Sequence, residues 1–341
     1  MTDIKSMLPE EVTEFVTKEL NLPKFRATQI TDWLSKGVTD FEDMKNLPKQ
    51  VKENLRSICY ISVANIEKKL KSSYDETVKY LFSFADKECV EAVVMKYKHG
   101  YSMCISTQVG CKMGCTFCAT GMGGFTRQLT PSEMLAQIEA AQRDLNIRIS
   151  NIVLMGMGEP LDNYQNVVRF IRLVTNEKGL NIGTRHITLS TCGLVPKIYD
   201  LAEEGFQLTL SLSLHAPTDE IRSKTMPVNK KYPIDEVIRA CKYYADKTGR
   251  RITYEYAMIN GVNDTPFCAH SLGNLIKGTL CHVNLIPVNP VKGTGYNPSA
   301  DKRIVAFREI LSKYNVNSTV RRTLGADINA SCGQLRGKNK N

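Results

Sequence analysis

At 341 residues the chain is long enough for one large domain and a smaller one. Its 42% hydrophobic and 23% charged content is that of a globular protein, neither disordered nor fibrous. A formal charge of +10 favours a polyanionic partner, nucleic acid most simply, although basic proteins without one are about as common.

The opening MTDIKSMLPEEVTEF is acidic and polar and has no apolar signal core. No apolar run approaches the ~20 residues of a membrane span. The expectation is a cytoplasmic protein with no membrane partner. Residues 1–60 read as helical: PEEVTEFVTKEL and FRATQITDWLSKG carry apolar residues at helical spacing, and LPKQVKENLRSI starts after a proline. This stretch reads as a helical N-terminal domain and a candidate RNA-docking module, with Lys45, Lys49, Lys52 and Arg56 as its cations. Residues 61–97 follow as a β-hairpin extension, KYLFSFADKECVEAVVMKY giving two strands around a turn at Ala85–Lys87.

Residues 98–341 alternate strand and helix. The strand runs are SMCIST, NIVLMG, HITLST, QLTLSLSL, ITYEYAMI and HVNLIPV, with an extra one at NSTVRR. In FQLTLSLSLH, Phe206, Leu208, Leu210, Leu212 and Leu214 alternate with polar residues, the period of a strand. In LTPSEMLAQIEAAQRDL, Thr130 is an N-cap, Pro131 suits the first helical position and Glu133 completes a capping box. Met134, Ile138, Ala141 and Leu145 then share a face. Repeated strand–helix units imply a parallel sheet. Six strands are too few for a closed eight-stranded barrel, so an α/β fold with an open, partial six-stranded barrel is expected. The tail GQLRGKNKN is basic and expected to fray.

Chemistry in such barrels gathers on loops after the C-terminal strand ends. Cys111, Cys115 and Cys118 follow the first strand, GMGEP the second, Ser190 closes the third, His215 the fourth and Asn289 the sixth. Eleven cysteines in a reducing compartment mean metal or catalysis before structural disulfides. Structural zinc wants four ligands, and here the next cysteine, Cys192, is far along the chain. A 4Fe-4S cube held by three thiolates leaves one iron open. Gly110, Gly114 and Gly121 would let the backbone pass close to it, and Phe117 would shield it. Zinc and coincidence are the alternatives.

CxxxCx(aromatic)C after the first strand of a partial barrel resembles the radical S-adenosylmethionine enzymes. CATGMGGFTRQLT, VLMGMGEPLDNY, STCGLVPKI, SLHAPTDEIRSKTMPVNKKYPI, NGVND, VNLIPVNPV and VRRTLGADINASCGQL together resemble the RlmN/Cfr family of RNA adenosine methyltransferases. The resemblance runs from about FRATQI to CGQLRG.

It implies a 4Fe-4S cluster on Cys111, Cys115 and Cys118, whose open iron binds the amino and carboxylate groups of S-adenosyl-L-methionine, two molecules being used per turnover. It implies 23S rRNA and tRNA as substrates, an electron donor such as flavodoxin or ferredoxin, and a monomer. Cys332 would carry a methyl group as S-methylcysteine. Cys104 would close a transient disulfide with Cys332 to release the product. Glu91 would be the general base, with Glu88 its nearby competitor. Gly158, Glu159, Ser190, Ser213, Leu214, His215 and Asn289 would contact S-adenosylmethionine, Glu159 by accepting from its amino group and Leu214 by backbone or packing alone. Taken singly, Glu91 reads as a solvent-facing strand residue, His215 as a core histidine, and Cys104 and Cys332 as unremarked thiols.

Carbon 2 of adenine is not nucleophilic, which is why a radical delivered from a positioned thioether suits it. Methylation at carbon 8 uses the same residues and is the first rival. A metal-stabilised RNA-binding module without catalysis is the second, and it has no use for Cys104 and Cys332. Lys230, Lys231, Arg250, Arg251, Arg321 and Arg322 are candidates for phosphate contacts or a solvated face. Cys192 departs from the family by standing where an apolar residue is expected.

Overall fold

The structure, a computed structural model, describes residues 1–336. The expectation for the last five residues of the tail therefore lies outside the described residues. Three helices, Pro9–Lys18, Lys24–Ser35 and Lys49–Ile58, open the chain. They gather a core of their own from Ile4, Val12, Val16, Ile30, Met44 and Leu55. This unit is bolted to the barrel by polar contacts. Lys5 and Glu139 form a buried ion pair, Arg143 Nη1 donates to the Gly37 carbonyl at 2.9 Å, and Ser132 Oγ donates to Asp3.

One ten-stranded sheet carries the rest. Its strands are β1 Asn65–Lys71, β2 Val78–Ser83, β3 Cys89–Tyr97, β4 Gly100–Cys104, β5 Ile149–Leu154, β6 Ile187–Thr191, β7 Thr209–Ser213, β8 Ile252–Met258, β9 Cys281–Pro287 and β10 Ser318–Val320. From β4 to β10 every pairing is parallel and sheet order follows chain order. The six expected parallel strands and the extra one at NSTVRR are all present, in an open barrel. β1 to β4 pair antiparallel and continue the same sheet, so the 61–97 segment is one with the barrel edge. β1, NIEKKLK, carries no apolar alternation because it is an edge strand exposed on both faces.

The crossover helices form for local reasons. Pro131–Leu145 begins at Thr130, whose side chain accepts from the Glu133 N–H, and ends at Asn146 in the left-handed region. Ile234–Thr248 stops at Gly249, again left-handed. Thr265 caps Pro266–Ile276. With Tyr164–Thr175 and Val195–Glu203, these helices put their apolar faces (Ile138, Ile171, Ile198, Val237, Leu272) into one core with Ile152, Leu189, Leu210, Tyr254 and Leu285 of the sheet. β8 is buried along its whole length, as a strand covered on both faces must be. No helix of the described residues is long and apolar enough to cross a membrane.

Candidate functional site

The parallel strands deliver their following loops to one end of the barrel, and a cavity opens there. It is lined by Cys111, Cys115 and Cys118 after β4, Gly158 and Glu159 after β5, Ser190 and Cys192 at the end of β6, Ser213 and His215 at the end of β7, Asn289 after β9 and Cys332 near the C-terminus. Three of the singled-out residues are elsewhere. Leu214 is buried behind the wall. Cys104 lines an adjoining cavity that shares Asn289, Arg321 and Cys332 with the first. Glu91 lines a recess with Lys79, Lys292, Asn329 and Arg336.

The cysteine loop is tied at both ends. Cys111 N–H donates to Gly124 O at 2.7 Å, and Thr116 N–H to Thr225 O at 2.9 Å. Gly110, at φ +78°, sits so close to Gly124 that a Cβ would stand 2.0 Å from its carbonyl oxygen, so that glycine serves backbone packing inside the loop. Burial pushes the Cys111 thiol up to about 12, with Glu159 and Cys118 adding to it, and the Cys115 thiol up further, with the other two thiols adding. Thiols placed like this lose their protons to a metal centre rather than to water. Among the described residues no group of three or more His, Cys, Asp or Glu side chains is gathered for a single metal ion. A cube asks for something else, three thiolates each on its own iron, and the three cysteines around one cavity fit that.

Glu159 is buried, and its carboxylate already serves the protein. Oε2 accepts from Cys192 N–H at 2.8 Å and Oε1 from Leu161 N–H at 3.1 Å. Burial raises its pKa and those bonds oppose the rise. Gly158, at φ +103°, leaves room for Gln108, whose side chain would lie 2.6 Å from a Cβ there; Gln108 Oε1 then accepts from Glu159 N–H at 2.8 Å. The GMGE turn is thus built against Gln108, a residue the sequence reading missed. Ser190 Oγ and Ser213 Oγ stand 3.3 Å apart. His215 has φ +56°, rare for a residue with a Cβ. Its Nδ1 accepts from Ala257 N–H at 2.9 Å, which puts the ring proton on Nε2. Burial, then the nearby Arg222 charge, lowers its pKa to about 3, so the ring is neutral at any working pH. Phe117 meets it edge-on at 5.0 Å.

The segment 331–336 straps the site together. Gly333 O accepts from Ala119 N–H at 2.7 Å, next to Cys118, and Leu335 O accepts from Thr120 Oγ1 at 2.7 Å. Asn289 Nδ2 donates to Cys332 O at 3.0 Å, so in this state Asn289 holds the strap. Arg336 N–H donates to Glu91 Oε2 at 2.7 Å. Lys79 Nζ reaches Glu91 Oε1 at 3.1 Å and Asn329 O at 3.2 Å, so Glu91 is a paired, largely buried carboxylate and not a solvent-facing one. Cys104 and Cys332 are free thiols. Burial, reinforced by Cys332 and opposed by Arg321, pushes the Cys104 thiol up to about 12.

Three further residues shape the cavity; two of them, Arg222 and Glu255, were not singled out, and Arg321 was named only among the basic residues. Arg222 is fully buried and donates to Leu214 O (3.1 Å), Asn229 Oδ1 (2.9 Å) and Cys192 O (2.6 Å), locking the loops after β6 and β7. Its helix, DEIRSKT, reads as an ordinary charged surface turn, so no local signal marks it. Glu255 and Arg321 also line the cavity; an acid inside the otherwise apolar run ITYEYAM was the available signal. Arg321 is thus a wall residue and not part of a solvated face. Arg250 and Arg251 precede β8 and lie at the opposite end of the barrel from the mouth, and Arg250 is bonded to Leu208 O and Thr209 Oγ1. Lys52 and Arg56 are paired with Glu42 and Asp40. Burial and the neighbouring Glu159 raise the Cys192 thiol far above its ordinary value, so it packs in the wall as a protonated thiol.

A family model described as the radical SAM superfamily matches residues 105–270. One described as the N-terminal domain of a ribosomal RNA large subunit methyltransferase matches residues 2–61. A curated relative from Clostridium acetobutylicum, "Probable dual-specificity RNA methyltransferase RlmN", is 56% identical over 312 residues, 92% of this chain and 90% of its own. Its namesake from Alkaliphilus oremlandii is 54% identical over 336 residues, 98% of each chain. The crystal structure of a radical SAM methyltransferase from Sphaerobacter thermophilus matches with a TM-score of 0.94 at 42% identity, over 99% of this chain and 100% of that one.

Proposed function

The chain belongs to the RlmN family of radical S-adenosylmethionine RNA methyltransferases, and from that premise we propose that it methylates carbon 2 of an adenosine in 23S rRNA, and of an adenosine beside the anticodon in some tRNAs. The observation that carries this reading is the strap. One short segment brings Cys332 to the cysteine loop through Ala119 and Thr120, and to Glu91 through Arg336. A methyl carrier, a radical source and a base must all meet one adenine ring, and the strap joins all three.

Cys111, Cys115 and Cys118 would hold the 4Fe-4S cluster. When bound, the cluster supplies the electron, delivered by a flavodoxin- or ferredoxin-type donor, that splits the sulfonium of S-adenosylmethionine. Gly158, Glu159, Ser190, Ser213 and His215 line the place for that molecule, Leu214 backing them through its main chain. Neutral His215 offers an Nε2–H donor and adds no charge beside a cation.

Cys332 takes a methyl group on its sulfur from a first S-adenosylmethionine. That S-methyl group gives a hydrogen atom to the 5′-deoxyadenosyl fragment of a second, split S-adenosylmethionine, which leaves as 5′-deoxyadenosine, and the carbon bonds to carbon 2. Glu91, ion-paired with Lys79 and bonded to the Arg336 N–H, accepts the ring proton, and the one electron left on the adduct would return to the cluster. Cys104 sulfur then bonds to Cys332 sulfur as the carbon–sulfur bond breaks; the carbon leaves with the electron pair and takes a proton. The chain does this as a cytoplasmic monomer on its own cofactors. Only a swung-out adenosine reaches such a mouth.

Nucleoside mass spectrometry of ribosomal and transfer RNA, from cells with and without the gene, tests the reading. It predicts 2-methyladenosine. Appearance of 8-methyladenosine instead would move the regiochemistry to carbon 8, and neither product would overturn the function.

A further inference from the structure

Glu255 stands mid-strand in β8 with 3% of its surface exposed. A buried carboxylate needs hydrogen bonds to offset its lost hydration. The Asn284 amide and the Ser211 hydroxyl supply part of them. Oε1 accepts from Asn284 Nδ2 at 3.1 Å. Asn284 Oδ1 in turn accepts from Thr319 Oγ1 at 2.8 Å, and His282 Nε2 lies 2.9 Å from that hydroxyl. This row of side chains across β9 and β10 fixes the carboxylate's orientation.

Its other oxygen, Oε2, has no hydrogen-bond partner among the described residues. Arg321 Nη1 pairs with it at 3.8 Å, beyond hydrogen-bond reach. Both side chains line the main cavity with Ser213 and His215, and the Glu255 carbonyl accepts the N–H groups of Leu214 and His215 at 3.1 and 3.2 Å. The contrast with Glu159 is direct: both oxygens of that carboxylate are engaged by backbone N–H groups, whereas Glu255 has a whole oxygen to spare.

We infer that Glu255 Oε2 accepts a hydrogen bond from a ribose hydroxyl of S-adenosylmethionine, which makes Glu255 a ligand-binding residue of this site. The inference rests on the proposed function, in which that molecule fills the cavity. S-adenosylmethionine carries three kinds of donor: an ammonium, two ribose hydroxyls and the adenine amino group. In that reading the amino group, having given up a proton, would bind the open iron. Of the remaining donors a hydroxyl gives a carboxylate the shorter and stronger bond. The bond would also complete the shell of an oxygen that burial has left short.

The test is equilibrium binding of S-adenosylhomocysteine, and of its analogue lacking both ribose hydroxyls, to cluster-loaded wild type, Glu255→Ala and Glu255→Gln. Iron content and the visible spectrum report whether each variant keeps its cluster. Glu255→Ala is expected to bind S-adenosylhomocysteine about tenfold or more weakly, Glu255→Gln less so, and the dideoxy analogue is expected to bind all three proteins alike. Unchanged affinity for S-adenosylhomocysteine in a loaded variant would overturn the inference. So would an equal loss for both ligands, which would place the contact elsewhere on the ligand or make Glu255 purely structural. If Glu255→Ala does not load, Glu255→Gln is read by the same criteria. Wild type that binds neither ligand would overturn the proposed function, and this inference with it.

Discussion

The two walls of the cavity differ in how fully their polar groups are spent. On the cysteine-loop side the groups that surround the three free thiols are engaged by protein. Glu159 accepts two backbone N–H groups, Gly158 is packed on Gln108, and Arg222 clamps the loops after β6 and β7 through the Cys192, Ser213 and Leu214 carbonyls. On the side of β8, β10 and the strap, capacity is left over. Glu255 has an oxygen without a hydrogen bond, Arg321 approaches it only to 3.8 Å, and Cys104 and Cys332 are free thiols beside one another. A wall with every group satisfied is a rigid seat. A wall with groups in reserve is where partners change during a reaction.

That contrast is broken most severely by Cys118→Ala. Losing one of three cluster ligands is expected to remove iron, brown colour and methylation together, read by iron assay and nucleoside mass spectrometry; a brown, active variant would contradict the assignment. Cys332→Ala should separate the walls instead. It abolishes methylation while iron content and melting temperature stay as in wild type, and loss of iron would show that the strap is part of the seat.

Arg222→Met acts on the seat without touching a ligand. It leaves the Leu214 and Cys192 carbonyls buried without their donor, and a loss of roughly 3 kcal/mol in unfolding free energy is expected, measured by urea titration. A loss under about 1 kcal/mol would mean these loops are held by other contacts.

The smallest effect is a pH slope from His215. Its folded pKa of about 3 lies below the ordinary 6.5. Between those values the unfolded chain binds the proton and the native one does not. The stabilisation is therefore complete above 6.5 and is lost as pH falls toward 3. From pH 7 to pH 5 this amounts to about 2 kcal/mol. His215→Gln should lack that part of the slope in paired urea titrations, and an unchanged slope would mean the imidazole titrates freely.

The same contrast explains what could be seen in advance. Local patterns announced the barrel: alternation in FQLTLSLSLH, the Thr130–Glu133 box, and cysteines, GMGEP, Ser190 and His215 each at a strand end. The residues that were missed act through contacts distant in the chain. Arg222 sits in a turn whose charges look solvated, and only the fold brings Cys192 O to its guanidinium. Gln108 matters because Gly158 approaches it, fifty residues on. β1 lacks the apolar period because neither of its faces is covered. Glu255 alone left a trace, an acid in a run that is otherwise buried and apolar.

The account turns on Cys332 as the methyl carrier. The direct measurement is peptide mass spectrometry of cluster-loaded protein after incubation with S-adenosylmethionine carrying a deuterated methyl group, a reductant and substrate RNA. The account predicts labelled methyl on the Cys332 peptide before it appears on RNA, and none on RNA from Cys332→Ala. Labelled RNA from Cys332→Ala, or label reaching RNA while the Cys332 peptide stays unmodified throughout, would contradict it.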